Sequence, residues 1–146
     1  MSKDVGEVVE LFISEKGNTK RIAKVEIFLD EKGVIGDKFY DKDSNRSVLL
    51  TSSESYMLAK SHQIIMERGT LGENILINYN PYKLDMGSQL KIGTAIIEIT
   101  QNCTICNHLS VVDKSLPKLL KDDRGIFVKV VNEGSIKRGD RVYLLD

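Results

Sequence analysis

The chain has 146 residues, 41% of them apolar and 29% charged, and its 21 lysines and arginines are matched by 21 aspartates and glutamates. That length suits one ordinary domain, here 1–146, which folds on its own apolar core without a disulfide or metal staple. Zero formal charge speaks against a dedicated nucleic-acid binder, which carries a basic excess to displace counterions, and against a polybasic membrane-surface protein.

The N-terminus shows no basic segment followed by an apolar one, and no stretch nears the ~18 consecutive apolar residues of a membrane span. A cytoplasmic protein is expected, with its two cysteines serving as thiols rather than as a structural disulfide. Residues 5–14 have strand composition, and a turn follows at 17–19. Over 23–29 the pattern alternates, with Ala23, Val25, Ile27 and Leu29 on one face and Lys24, Glu26 and Phe28 on the other. A turn at 30–33 and a polar loop at 36–45 lead to a strand at 46–50. Thr51 as N-cap, with Glu54 at capping-box spacing, opens a helix. Met57, Leu58, Ile64 and Ile65 continue it and Gly69 ends it.

A strand at 74–77 comes next, then strands at 90–92 and 95–99 around a Gly93-Thr94 hairpin turn. A shorter helix covers 116–121, and strands at 126–131 and 142–145 are joined through 132–135. Strands outnumber helices without regular alternation. The expected fold is mainly β: a closed or partly open antiparallel barrel with one or two covering α-helices.

The most reactive segment is Cys103-Thr104-Ile105-Cys106-Asn107-His108, placed where a strand gives way to a loop. A thiolate is a soft ligand and a nucleophile; the plainer reading is two small buried apolar residues. A zinc site needs three or four ligands, and Cys103, Cys106, His108 and His62 exhaust the supply. A thioredoxin-like dithiol needs a long helix after its cysteines, and 109–113 is not a strong one. One thiolate used as a metal ligand or sulfur carrier needs only a pocket.

Three further clusters stand out: Gly36-Asp37-Lys38 through Arg46, Leu71-Gly72-Glu73-Asn74, and Asp123-Arg124-Gly125-Ile126. Each reads first as turn chemistry. Arg46 can also bind phosphate or carboxylate bidentately. Glu73 and Asn74 either cap their turn or orient a ligand. Arg124 precedes a strand beside a glycine that admits a close backbone.

In order, these clusters resemble the MOSC family, named for the C-terminal domain of molybdenum-cofactor sulfurases. The likeness runs over about residues 5 to 145, from Gly33-Val34-Ile35-Gly36-Asp37 and Asn45-Arg46-Ser47-Val48 through Leu71-Gly72-Glu73-Asn74 and the cysteine segment to Arg124-Gly125-Ile126. The resemblance implies a β-barrel and a cysteine that carries a persulfide or binds the molybdenum of the pterin cofactor. Cys106, with His108 in the family's basic position and Leu109 after it, takes that role, and Cys103 becomes a second thiol. Ile105 and Thr104 stand where many relatives have proline and a basic residue.

Arg46, Glu73, Asn74 and Arg124 become candidates for holding pterin or phosphate. The implied activity is reduction of N-hydroxylated compounds or transfer of cofactor sulfur. Its partners would be a cysteine desulfurase or cofactor-biosynthesis protein, and a separate electron-donor protein for a reductase. A non-catalytic carrier and an interaction domain with inert thiols are the alternatives.

Overall fold

A computed structural model of the chain describes residues 2–17, 21–104 and 109–146. The elements are β1 (Ser2–Ser14), β2 (Arg21–Lys24), β3 (Glu26–Asp30), β4 (Gly33–Val34), β5 (Val48–Ser52), α1 (Ser53–Ser61), β6 (Ile75–Ile77), β7 (Gln89–Ile92) and β8 (Ala95–Asn102). They continue with α2 (Leu109–Val112), α3 (Leu116–Leu119), β9 (Ile126–Asn132), β10 (Gly134–Lys137) and β11 (Arg141–Leu145).

The main sheet runs β11-β7-β8-β9-β5-β6-β1-β2, and a β11–β1 pairing closes its first seven strands into a barrel. Closure removes the free edges that an open sheet would offer to other chains. The long β1 makes it possible. Its start pairs with β11, its middle with β6 and its end with β2, with register shifts between Asp4 and Gly6 and between Val8 and Glu10. The barrel is not wholly antiparallel, because β5 and β6 run parallel. The chain between them contains α1, the crossover that a parallel pair requires.

Inward side chains such as Leu11, Leu50, Ile75, Leu90 and Ile97 fill the barrel. On β8 the alternation is clean, with Ala95, Ile97 and Ile99 buried. The run expected as one strand over 23–29 is divided at Val25, which is 72% exposed. β2 belongs to the barrel sheet, whereas β3 joins β10 and β4 in a separate three-stranded sheet. The buried face therefore survives only at Ile27 and Leu29.

The expected helix is shorter than its pattern. Thr51 ends up inside β5, and Ser52 is the N-cap, its side chain accepting from Glu54 N at 3.1 Å. The helix stops at His62, and Gln63 follows at φ 60°. Ile64 and Met66 are buried from a loop instead, in a second small core with Ala59, Leu71, Leu109 and Leu116. In the later segment, the helix expected at 116–121 is the shorter α3, preceded by α2. Among the described residues no helix is long and apolar enough to cross a membrane.

Leu50 is fully buried in the barrel, so Leu50→Ala should cost about 2–5 kcal/mol through lost burial and a residual cavity. Val25→Ala, at the exposed break, should stay within about 0.5 kcal/mol. Urea midpoints at unchanged slope would check both; equal shifts would contradict the division at Val25.

Candidate functional site

The site begins where β6 has not yet started. Asn74 N donates to Leu49 O at 2.9 Å, and Asn74 O accepts from Phe12 N at 2.8 Å. Its side chain extends the same pairing to both neighbours: Oδ1 accepts from Leu49 N at 3.1 Å and Nδ2 donates to Phe12 O at 3.2 Å. Nδ2 also reaches Asp37 Oδ1 at 3.2 Å. Asp37 in turn accepts from Ser14 N at 2.7 Å and, through Oδ2, from Phe39 N at 3.0 Å. Both side chains are buried. This satisfied polar junction ties the loop over 36–47 to the end of β1 and the start of β6.

Glu73 lies beside it with no exposed surface. Its Oε2 accepts from Tyr56 OH at 2.6 Å and from Thr51 Oγ1 at 2.8 Å. Its Oε1 has no hydrogen-bond partner among the described residues. The Tyr56 oxygen accepts from Gly69 N at 3.1 Å, so one phenol links α1 to both ends of the 69–73 segment. Two guanidiniums hold that segment's carbonyls: Arg21 donates to Glu73 O at 3.1 Å and Arg124 donates to Leu71 O. Gly72, at φ 86°, is where Arg21 comes close: a Cβ there would meet its Nη2 at 3.7 Å.

Ser55, the α1 neighbour of Tyr56, donates to Asp123 O at 2.6 Å and so fixes the residue before Arg124. That commits its single proton, so Tyr82 OH donates to Ser55 Oγ at 2.7 Å while accepting from Ser52 N at 2.7 Å.

These segments enclose a cavity of about 630 Å³. Among the described residues five cations line it (Arg21, Lys38, Lys42, Arg46 and Arg124) against one carboxylate, Asp43. Burial pulls Arg21 below the usual arginine range, opposed by the nearby Asp37 and Glu73 carboxylates. Cys103 is a buried free thiol in the cavity wall, its N–H on Gly125 O at 3.0 Å. Gly125 sits at φ 148°, where a Cβ would approach Leu49 Cδ1 to 3.1 Å.

Of the residues singled out in the sequence, Arg46, Asn74, Cys103 and Arg124 line this one cavity. Arg46 is exposed at the mouth, over the ring of Phe127. Glu73 lies outside the lining residues, and the bonds of Glu73 and Asn74 go to the fold itself. Cys106 and His108 lie outside the described residues. His62 caps the end of α1 and turns its Nδ1 to Ser61 and Leu58. No group of three or more His, Cys, Asp or Glu side chains able to hold a metal ion occurs among the described residues. Sequence reasoning missed Arg21 and Lys42, and it gave Lys38, named in the Gly36-Asp37-Lys38 cluster, no role. Only their charge beside turn residues signalled them, and surface cations share that feature.

Burial pushes the phenols of Tyr56 and Tyr82 well above the ordinary value, and Glu73 beside Tyr56 adds to its shift. A phenol whose pKa is raised on folding contributes stability that is complete below its unfolded value of about 10 and lost as pH rises toward the folded one. In an alkaline titration of the chain's five tyrosines, Tyr56 and Tyr82 should ionise only as the fold opens. Phenylalanine at both positions should remove that late step in phenolate absorbance. Full ionisation of all five in the intact fold would contradict the burial of these two.

Similarity to known structures follows the fold closely. The YuaD protein from Bacillus subtilis superposes with a TM-score of 0.79 at 16% identity, over 99% of this chain and 98% of that one. YiiM from Escherichia coli gives 0.70 at 18% identity, over 96% of this chain and 70% of its own. YiiM from Geobacillus stearothermophilus gives 0.66 at 16% identity, over 100% and 76%. No curated protein matches the chain. The family model of the MOSC domain matches residues 31–143, a span that takes in the cavity loop, its floor and the cysteine segment, and the chain therefore belongs to the MOSC domain family.

Proposed function

We propose that this chain binds the molybdenum cofactor in the basic cavity and uses a thiol of the 103–106 segment, Cys106 in the first place, as metal ligand or sulfur carrier. The reaction is reduction of N-hydroxylated compounds or transfer of cofactor sulfur. One observation carries the reading: a cavity of about 630 Å³ whose wall brings Arg21 and Arg124 together with the Cys103 thiol. The MOSC family is associated with this cofactor.

The residues fit the group. The cofactor is a pterin bearing a phosphate and a dithiolene-bound metal. Guanidinium groups suit the phosphate, a thiolate suits a soft metal centre, and the volume falls within the range of small-molecule sites. Arg21 and Arg124, already fixed on the floor's carbonyls, would hold the anionic end. Glu73 and Asn74 would act by keeping that floor in place. When bound, the cofactor supplies the redox or sulfur chemistry, and the chain supplies orientation and shelter from water. Reducing N–OH to N–H with release of water consumes two electrons and two protons, so a separate electron-donor protein is a partner of the reductase. A cysteine desulfurase or cofactor-biosynthesis protein is the partner for sulfur transfer.

The test is molybdenum and pterin content after purification from a host that makes the cofactor. Wild type should carry both near one per chain. Cys106→Ser should lose the molybdenum, and Cys103→Ser should only lower it. A wild type with neither, or a Cys106→Ser protein that keeps its full molybdenum, would overturn the assignment. An extra sulfur in the intact mass of a metal-free wild type would turn it toward a persulfide carrier.

A further inference from the structure

The five cations of the cavity fall into two groups with different surroundings. Arg21 and Arg124 stand on the inner wall, each committed to a carbonyl of the floor. Lys38, Lys42 and Arg46 are exposed and come from the single loop over 36–47. Among the described residues, no ion pair joins any of these three to a carboxylate. Of the loop's three aspartates, Asp37, Asp41 and Asp43, only Asp43 is among the described lining residues, and its carboxylate accepts from Asn45 N at 3.0 Å.

The loop holds these cations in place. Asp37 anchors its start through Ser14 N and Phe39 N. Lys38 N donates to Ser14 O at 2.6 Å, and Asp41 N donates to Lys32 O at 2.9 Å. At the far end, Thr100 Oγ1 donates to Asn45 O at 2.6 Å and so pins the loop to β8. Two of the cations also rest on aromatic rings: Lys38 lies 5.2 Å from the centroid of Phe39, and Arg46 lies 5.2 Å from that of Phe127. A long cationic side chain held over a ring has already lost part of its rotamer freedom, so an anion that meets it costs less to order.

Among the described residues three cations and one carboxylate, Asp43, meet at this mouth, so it keeps a net positive charge that an entering anion relieves. They line a concave space rather than a flat face. The occupant is therefore a small molecule and not an acidic protein surface. Phe39 and Phe127, in the same lining, offer it apolar surface.

We propose that Lys38, Lys42 and Arg46 form an outer subsite that selects substrates consisting of an aromatic ring bearing an anionic group, carboxylate or phosphate. The subsite deepens the reading of the cavity as a cofactor site, on which it rests. It moves Arg46 from the cofactor to the substrate.

The test titrates the protein as purified from the cofactor-making host with benzoate, phenyl phosphate and the neutral benzamide. At least one anion should bind roughly tenfold or more tightly than benzamide, and the preference should shrink as salt is raised. Which anion wins separates a carboxylate from a phosphate substrate. The triple variant Lys38→Gln, Lys42→Gln, Arg46→Gln should lose that preference and keep its molybdenum. The single variant Lys42→Gln, at an exposed position without a ring contact, should show a partial loss and covers the case in which the triple variant folds poorly.

Equal binding of benzamide and both anions to wild type would overturn the subsite, as would a preference that survives in the folded triple variant. Molybdenum lost from the folded triple variant would give the three cations back to the cofactor and overturn the subsite, with the cofactor reading intact. A wild type without molybdenum that still prefers the anions would sink the cofactor reading and, with it, the substrate role given to these cations.

Discussion

The site depends on the side-chain amide of Asn74. At the point where β6 begins, the backbone alone cannot satisfy both neighbouring strands, and the amide supplies the missing pair, bonding Leu49 of β5 and Phe12 of β1. The remaining reach of its Nδ2 brings in Asp37, and Asp37 fixes where the cavity loop leaves β1. The wall and the floor of the cavity are thus set by two adjoining buried polar residues. Removing either would strand buried donors or acceptors, at a cost of roughly 1–3 kcal/mol for each group left unpaired.

Glu73 poses the complementary problem. A carboxylate in the interior is expensive unless its charge is met. Here one oxygen receives two hydroxyl donors and the other receives none among the described residues. Arg21, which lines the cavity, donates to the carbonyl of this same residue and feels its charge. The arrangement places a buried negative charge under a cavity that is otherwise strongly positive. Ser55 and Tyr56, adjacent on α1, tie this arrangement to the rest of the fold by holding Asp123 on one side and Glu73 on the other. One short helix thereby sets both the residue preceding Arg124 and the floor that Arg124 touches.

The barrel was legible because short strands outnumber helices with no regular strand–helix alternation; face-by-face alternation is clean in β8, whereas β5 and β6 are buried throughout. Reading failed where one stretch serves two purposes. The alternation at 23–29 gave no hint that the chain changes sheets at Val25, since either half of the pattern suits a strand by itself. Helical spacing carried the expected helix on to Gly69, yet Ile64 and Met66 are buried from a loop. Burial demands an apolar residue there in either conformation. Thr51 and Ser52 are both good caps, and only the pairing of β5 decides that Ser52 takes the role. The C-x-x-C spacing brought Cys103 forward, and residue type at turns together with the family resemblance brought Arg46, Asn74 and Arg124; the four meet in one cavity. Arg21 and Lys42, and the role of Lys38, were not legible, because a cation becomes a cavity residue only when distant segments bring its neighbours to it. The parallel pairing of β5 with β6 was hidden for the same reason.

The position of bound metal tests the central claim most directly. An anomalous difference map at the molybdenum edge, from crystals of protein purified with its cofactor, should show one peak inside the cavity lined by Arg21, Cys103 and Arg124. A molybdenum peak elsewhere on the chain, or none in crystals of protein from a cofactor-making host, would contradict it.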